Sequence, residues 1–176
     1  MKIKSIEIVI FSKKQLDRLS KTFNPAKMII AVALSSAILS IPTTGQPLAQ
    51  TAIQFAATLA LLTATIIITA VAAKALGAEN NIKNIISTSG ISMMLSLLAI
   101  SLPAGLITIW LIPLVFHTQL FSSLLFSIIP FYNFLIFGWS VEESSKNKNQ
   151  TRKTITALFS LTMIMLFYII ISILQV

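Results

Sequence analysis

The chain has no cysteine. That excludes a disulfide framework, a thiolate metal site and a cysteine nucleophile. It has one histidine, His117, and five acidic residues. One imidazole, with no thiolate and no carboxylate in the apolar stretches around it, cannot hold a catalytic metal unaided. Serines are plentiful, but none has the His and Asp companions of a nucleophilic triad. No P-loop and no dinucleotide fingerprint occurs. Glu142 and Glu143 are neighbours, so on a helix they point about 100° apart. They read as a charged helix end rather than an acid and base pair. The expectation is a protein that is not an enzyme and needs no cofactor and no metal.

Charge is also scarce. Charged residues make up 10% of the chain, against about 25% in an ordinary soluble domain. Hydrophobic residues make up 56%, and the mean hydropathy is +0.90. So few charges cannot cover a water-facing surface, and an integral membrane protein is expected. The charges present are unbalanced, with 13 Lys and Arg and a net charge of +8. In a soluble protein that excess would point to nucleic acid. Here the basic residues sit in short loops and an N-terminal arm, so anionic lipid is the expected partner and nucleic acid is not.

The basic residues fall into clusters separated by long uncharged stretches. Lys27 and Lys74 bracket 46 uncharged residues, and Lys83 and Glu142 bracket 58. A bilayer core of about 30 Å takes about 20 residues per helix, and cytoplasmic loops are rich in Lys and Arg. Basic flanks on both sides require an even number of crossings, so each stretch holds two. The first turn is expected at Pro42-Thr-Thr-Gly-Gln-Pro47, between helices at about 27–43 and 50–75. The second is expected at Phe116-His-Thr-Gln119. It divides a helix at about 84–114, kinked after Pro103-Ala-Gly105, from one at about 119–140. An alternative ends the first of these near Leu102 and makes 104–114 interfacial. A last helix covers Thr154 to Leu174.

The fold expected is therefore all-α: a polytopic helix bundle of five transmembrane helices, N-terminus cytoplasmic and C-terminus outside. Residues 1–26 form a basic cytoplasmic arm and 27–176 the membrane domain. The plasma membrane is the expected location. The long segment before the first apolar run, and the prolines around the one plausible cleavage site, argue against a signal peptide.

Two features of the arm and spans invite closer reading. In Ser12-Lys-Lys-Gln-Leu-Asp-Arg-Leu-Ser-Lys-Thr-Phe23, Leu16, Leu19 and Phe23 recur at helical spacing with a basic opposite face. That is the pattern of a short interfacial helix, with a disordered positive tail as the alternative. Lys13, Lys14, Arg18, Lys21 and Lys27 would then face lipid. Before it, Ile8-Val-Ile-Phe11 reads as a strand or as more of the same helix. Within the spans, Gln54, Asn133, Tyr132 and many Ser and Thr residues suit close helix packing, with a polar path as the alternative. Trp110 and Trp139 suit interface anchoring, and Lys74 can snorkel from a helix end.

The order of features carries a family resemblance. A basic arm containing a Pro precedes two helices. A cytoplasmic turn follows, Ala73-Lys-Ala-Leu-Gly-Ala-Glu-Asn-Asn-Ile-Lys-Asn-Ile-Ile-Ser-Thr-Ser-Gly90. A later helix runs to Trp139-Ser-Val-Glu-Glu, and a charged loop precedes the last span. Over about residues 22–175 this resembles the Yip family of Ypt/Rab-interacting five-span membrane proteins, in the form of its prokaryotic relatives. The resemblance implies work through protein partners in membrane organisation, or a bare membrane domain. Two alternatives remain from the residues alone: a small accessory subunit of a larger membrane complex, and a dimeric transporter or channel. Expected partners are membrane lipid, other membrane proteins and a second copy of the chain.

Overall fold

The computed structural model describes residues 13–21, 23–40, 48–101, 103 and 119–174. These form six α-helices: α1 Lys13–Lys21, α2 Pro25–Leu39, α3 Leu48–Ala75, α4 Ile82–Ser96, α5 Gln119–Ser145 and α6 Gln150–Leu174. No strand occurs among the described residues. The expected all-α bundle is observed. Among the described residues three helical segments, Ala49–Ala75, Ile82–Ile100 and Gln150–Ile173, are long and apolar enough to cross a membrane.

Local chemistry sets the helix ends. Asn24 caps α2: its side-chain oxygen accepts from the Lys27 N–H at 3.0 Å, and Pro25 follows as the first helical residue. Asn81 caps α4 in the same way through the Lys83 N–H. At the end of α3 the Ala78 N–H bonds the Ala73 carbonyl and the Gly77 N–H bonds the Lys74 carbonyl. This is a Schellman turn, with Gly77 at φ +89° as its left-handed residue. Arg152 Nη1 also lies 2.9 Å from where a Cβ on residue 77 would stand. The backbone conformation is what calls for glycine there, since the end of the flexible Arg152 side chain can move aside.

After Ser96, α4 continues as a π-helical turn, Leu97–Ser101. The kink expected after Pro103 is preceded by this irregular turn. Proline has no N–H to give, and its ring crowds the carbonyl four residues back; widening the preceding turn accommodates both. By contrast α5 passes through Pro130 without a break. The stretch 104–118 lies outside the described residues, so the extent of the third span, Trp110 and the turn at His117 do too, as do the Pro42–Pro47 turn and Ile8–Phe11.

The five longer helices close into a ring in the order α2, α4, α5, α6, α3, with α3 also touching α4 and α5 across it. Leu62 and Ile66 of α3, Met93 of α4, Phe137 of α5 and Ile164 and Phe167 of α6 fill the centre. Small residues allow the close approaches. A Cβ on Gly138 of α5 would lie 2.9 Å from Leu161 Cγ of α6.

The polarity of the ring runs opposite to that of a soluble fold. Many buried positions carry Ser or Thr, and nearly all of these hydroxyls donate to a carbonyl of their own helix. Ser35 donates to Ala31 at 2.8 Å, Thr69 to Thr65 at 2.9 Å and Ser92 to Thr88 at 2.7 Å. The exposed faces of α3 and α6 carry Ile53, Ile67, Ile68, Leu158, Met165 and Ile173 instead. Self-satisfied hydroxyls inside and bare aliphatics outside suit a solvent that offers no hydrogen bonds.

Candidate functional site

Charged side chains gather at one end of the ring, where α1, the turn after α3, the end of α5 and the start of α6 meet. Two helix–loop–helix connections make this end. The first, residues 76–81, follows the Schellman turn; the second, 146–149, turns at Lys146, whose φ is 52°. Lys74, expected to snorkel, instead turns its ammonium onto the first loop and donates to the Ala78 and Asn80 carbonyls at 2.8 and 3.3 Å. A cation at the negative end of a helix is favourably placed.

Asn80 joins three segments. Its amide nitrogen donates to the Ser20 carbonyl of α1 at 3.1 Å and to the Ser144 carbonyl of α5 at 2.8 Å. Its oxygen accepts from the Asn81 N–H and from the Asn84 side chain. The backbone N–H groups of Glu79 and Asn80 both donate to the Ser145 carbonyl. From the second loop, Asn147 donates to the Leu76 carbonyl at 2.9 Å. The carbonyls that end α3 and α5 are in this way bonded by the opposite loop or helix.

The four acids among the described residues, Asp17, Glu79, Glu142 and Glu143, are all engaged. Lys153 of α6 bonds Glu143 at 2.7 Å and lies 3.5 Å from Glu142, and Lys13 of α1 reaches the other oxygen of Glu143 at 3.2 Å. Burial pushes the Glu143 carboxyl up, but the hydrogen bonds from Lys153 and Lys13 outweigh it and hold it below its ordinary 4.5. Asp17 pairs with Lys21 and Lys146 at 3.3 and 3.4 Å. The hydrogen bond from Lys21 does most to hold it below 3.8. Glu79 pairs with Lys148 at 2.9 Å and raises that exposed ammonium above 10.5. An exposed pair of this kind is screened by water and contributes little; the half-buried Lys153 with two carboxylates is the firmer tie.

The expected helix of the arm is present as α1. Leu16, 1% exposed, is packed inward in a cluster with Leu95, Ile91 and Met94 of α4 and Tyr132 and Trp139 of α5. The five basic residues assigned to lipid have different surroundings. Lys13 and Lys21 are bound to acids; Lys14 and Arg18 are exposed with no carboxylate within bonding reach among the described residues; Lys27 stands in the first turn of α2. Glu142 and Glu143 end α5 as expected. Their convergence on Lys153 was readable from two acids and Arg152-Lys153 flanking a short loop. The role of Asn80 carries no such signal, because its partners are main-chain carbonyls 60 and 64 residues away.

Beside this end, α2, α3 and α4 enclose an apolar groove of about 350 Å³. Phe23, Met28, Val32, Ile66 and Ile67 line it, with Lys83 among them. No group of three His, Cys, Asp or Glu residues able to hold a metal occurs among the described residues.

Helix bundle, apolar exterior and one charged end together define a membrane protein. No family model, no curated protein and no solved structure matches this chain.

Proposed function

We propose that the chain is a five-span, non-enzymatic membrane protein of the Yip type, which works by binding other membrane proteins or organising lipid. The charged end is cytoplasmic and the C-terminus is outside, in the plasma membrane. The fourth crossing is α5, whose 27 residues reach about 40 Å. The fifth is α2, which at 15 residues reaches about 22 Å.

One observation carries this reading: large aliphatic side chains stand exposed along α3 and α6, while hydroxyls are turned inward and bonded to their own helices. Such a surface gains nothing from water and is suited to lipid and to other apolar helices. The charged groups support it too, since the acids among the described residues are tied up in pairs at the charged end.

The test is topology followed by recovery of partners. A reporter fused after Val176 should read the outer compartment, and one inserted near Lys148 the cytoplasm; the same side for both sinks the five-span count. Purification in mild detergent should then recover other membrane proteins or bound lipid. A stoichiometric large complex makes the chain an accessory subunit. Solute flux through liposomes by a purified homodimer replaces the proposal with a transporter.

A further inference from the structure

We propose that the groove between α2, α3 and α4 binds one anionic phospholipid, an acyl chain lying against Val32, Ile66 and Ile67 and the phosphate on Lys83. This rests on the membrane reading above and gives it a ligand.

The shape is suited to a chain. At about 350 Å³ the groove lies at the small end of ligand pockets, about 300–1,000 Å³. It opens to the surface past Phe23 and Ile67, which are 40% and 44% exposed. Gly90 of α4 lies against three of its residues. A Cβ on Gly90 would stand 3.4 Å from Val32 Cγ2, 3.8 Å from Ile66 Cδ1 and 3.9 Å from Met28 Cγ. Three groove residues from two helices thus converge over one glycine of the third.

The charge at the mouth selects the headgroup. Lys83 is exposed and lines the groove. It has no carboxylate partner among the described residues, because Asp17, Glu79, Glu142 and Glu143 are all paired elsewhere. It also stands in the first turn of α4, which contains no acid. Lys27, next to the groove residue Met28, stands in the first turn of α2, likewise without an acid. A helix N-terminus is its positive end, so lysines there are repelled by the dipole and an anion is favoured. A phosphate on Lys83 offsets both. A span from a second copy fits less well: the chain's apolar stretches carry no acid to meet Lys83. Inorganic phosphate alone leaves the apolar walls unused.

Full-length protein in a neutral detergent, mixed with equal phosphatidylglycerol and phosphatidylcholine of identical chains, tests this by native mass spectrometry. One phosphatidylglycerol per chain should be retained in preference to phosphatidylcholine. Lys83→Gln should weaken that retention about fivefold, the ratio for one lysine near an anionic surface, and Lys148→Gln, in the loop paired with Glu79, should leave it unchanged. Ile67→Trp, at an exposed position that narrows the groove, should weaken both lipids. Equal retention of the two lipids, a Lys83→Gln protein no weaker than Lys148→Gln, no effect of Ile67→Trp, or a protein dimer in place of bound lipid each overturns the site. Partner recovery is not read in this experiment. Failure here alongside co-purifying partners removes the groove and keeps the five-span reading, whereas a wrong topology removes that reading whatever lipid is bound.

Discussion

The side-chain amide of Asn80 lies 3.1 Å from the carbonyl oxygen of Ser20, a residue 60 positions earlier. That bond ties the end of α1 to the loop between α3 and α4, and the same nitrogen holds the Ser144 carbonyl at 2.8 Å. Both acceptors lie near helix ends, where carbonyls lack a partner within the helix. Asn80→Leu keeps the bulk and removes both donors. The expected cost is about 1–3 kcal/mol, the penalty of carbonyls left without a donor, toward the lower end because the site is half-buried. Thermal unfolding in detergent measures it. Hydrogen exchange should also rise in α1 before it rises in α3 or α6. Unchanged protection of α1 would show that the Leu16 cluster alone holds the helix.

Acid should loosen the same end, and the sign follows from Glu143. Its carboxyl is held below its ordinary 4.5 by Lys153 and Lys13. A carboxyl depressed in the folded state contributes stability that is fully present above its unfolded pKa and is lost as pH falls through the folded one. Asp17, held below 3.8 by Lys21 and Lys146, acts in the same direction and lower down. The unfolding midpoint should therefore be flat from about pH 7 to pH 5 and fall below about pH 4.5. Glu143→Gln should start lower and fall less steeply. A variant with the same acid slope as the parent would show that other carboxylates set the loss.

How far these features were legible in the sequence depends on what wrote them there. Asn24-Pro25, Gly77 and Asn81 fall at boundaries, where backbone conformation depends on the residue itself, although Pro130, Gly90 and Gly138 lie inside helices. Charge marked the boundaries less well. The fourth and fifth helices were expected to end at residue 140 and to begin at Thr154. In the structure α5 runs to Ser145 and α6 starts at Gln150. Charges show where lipid ends, and a helix is free to continue past that plane. The apolar spacing of Leu16 and Leu19 predicted α1 but not its neighbour, since a stripe that suits lipid suits another helix equally. The groove had no sequence signal, because its residues come from three helices and meet only when those helices pack.

Gly138 and Gly90 offer a paired test of the helix packing. Both lie inside helices, where alanine is intrinsically better by about 1 kcal/mol, so propensity alone predicts that both substitutions stabilise. Space separates them. At Gly138 a Cβ would meet Leu161 Cγ at 2.9 Å and the Ala157 carbonyl at 3.4 Å. The first is a branch point and the second is backbone, and neither moves without shifting α6. At Gly90 the nearest atom is a Val32 methyl at 3.4 Å, which is ordinary contact. Gly138→Ala should therefore destabilise, the cost of overpacking being about 1–3 kcal/mol, and Gly90→Ala should be neutral or slightly stabilising. Parallel unfolding of the two variants in one detergent decides it. If Gly138→Ala is as stable as Gly90→Ala, α5 and α6 are not as close as described, and the ring is looser on that side. Leu161→Ala in the Gly138→Ala background supplies the check. Removing the clashing branch should recover stability relative to Gly138→Ala alone, although the same change in the parent chain leaves a void and costs stability.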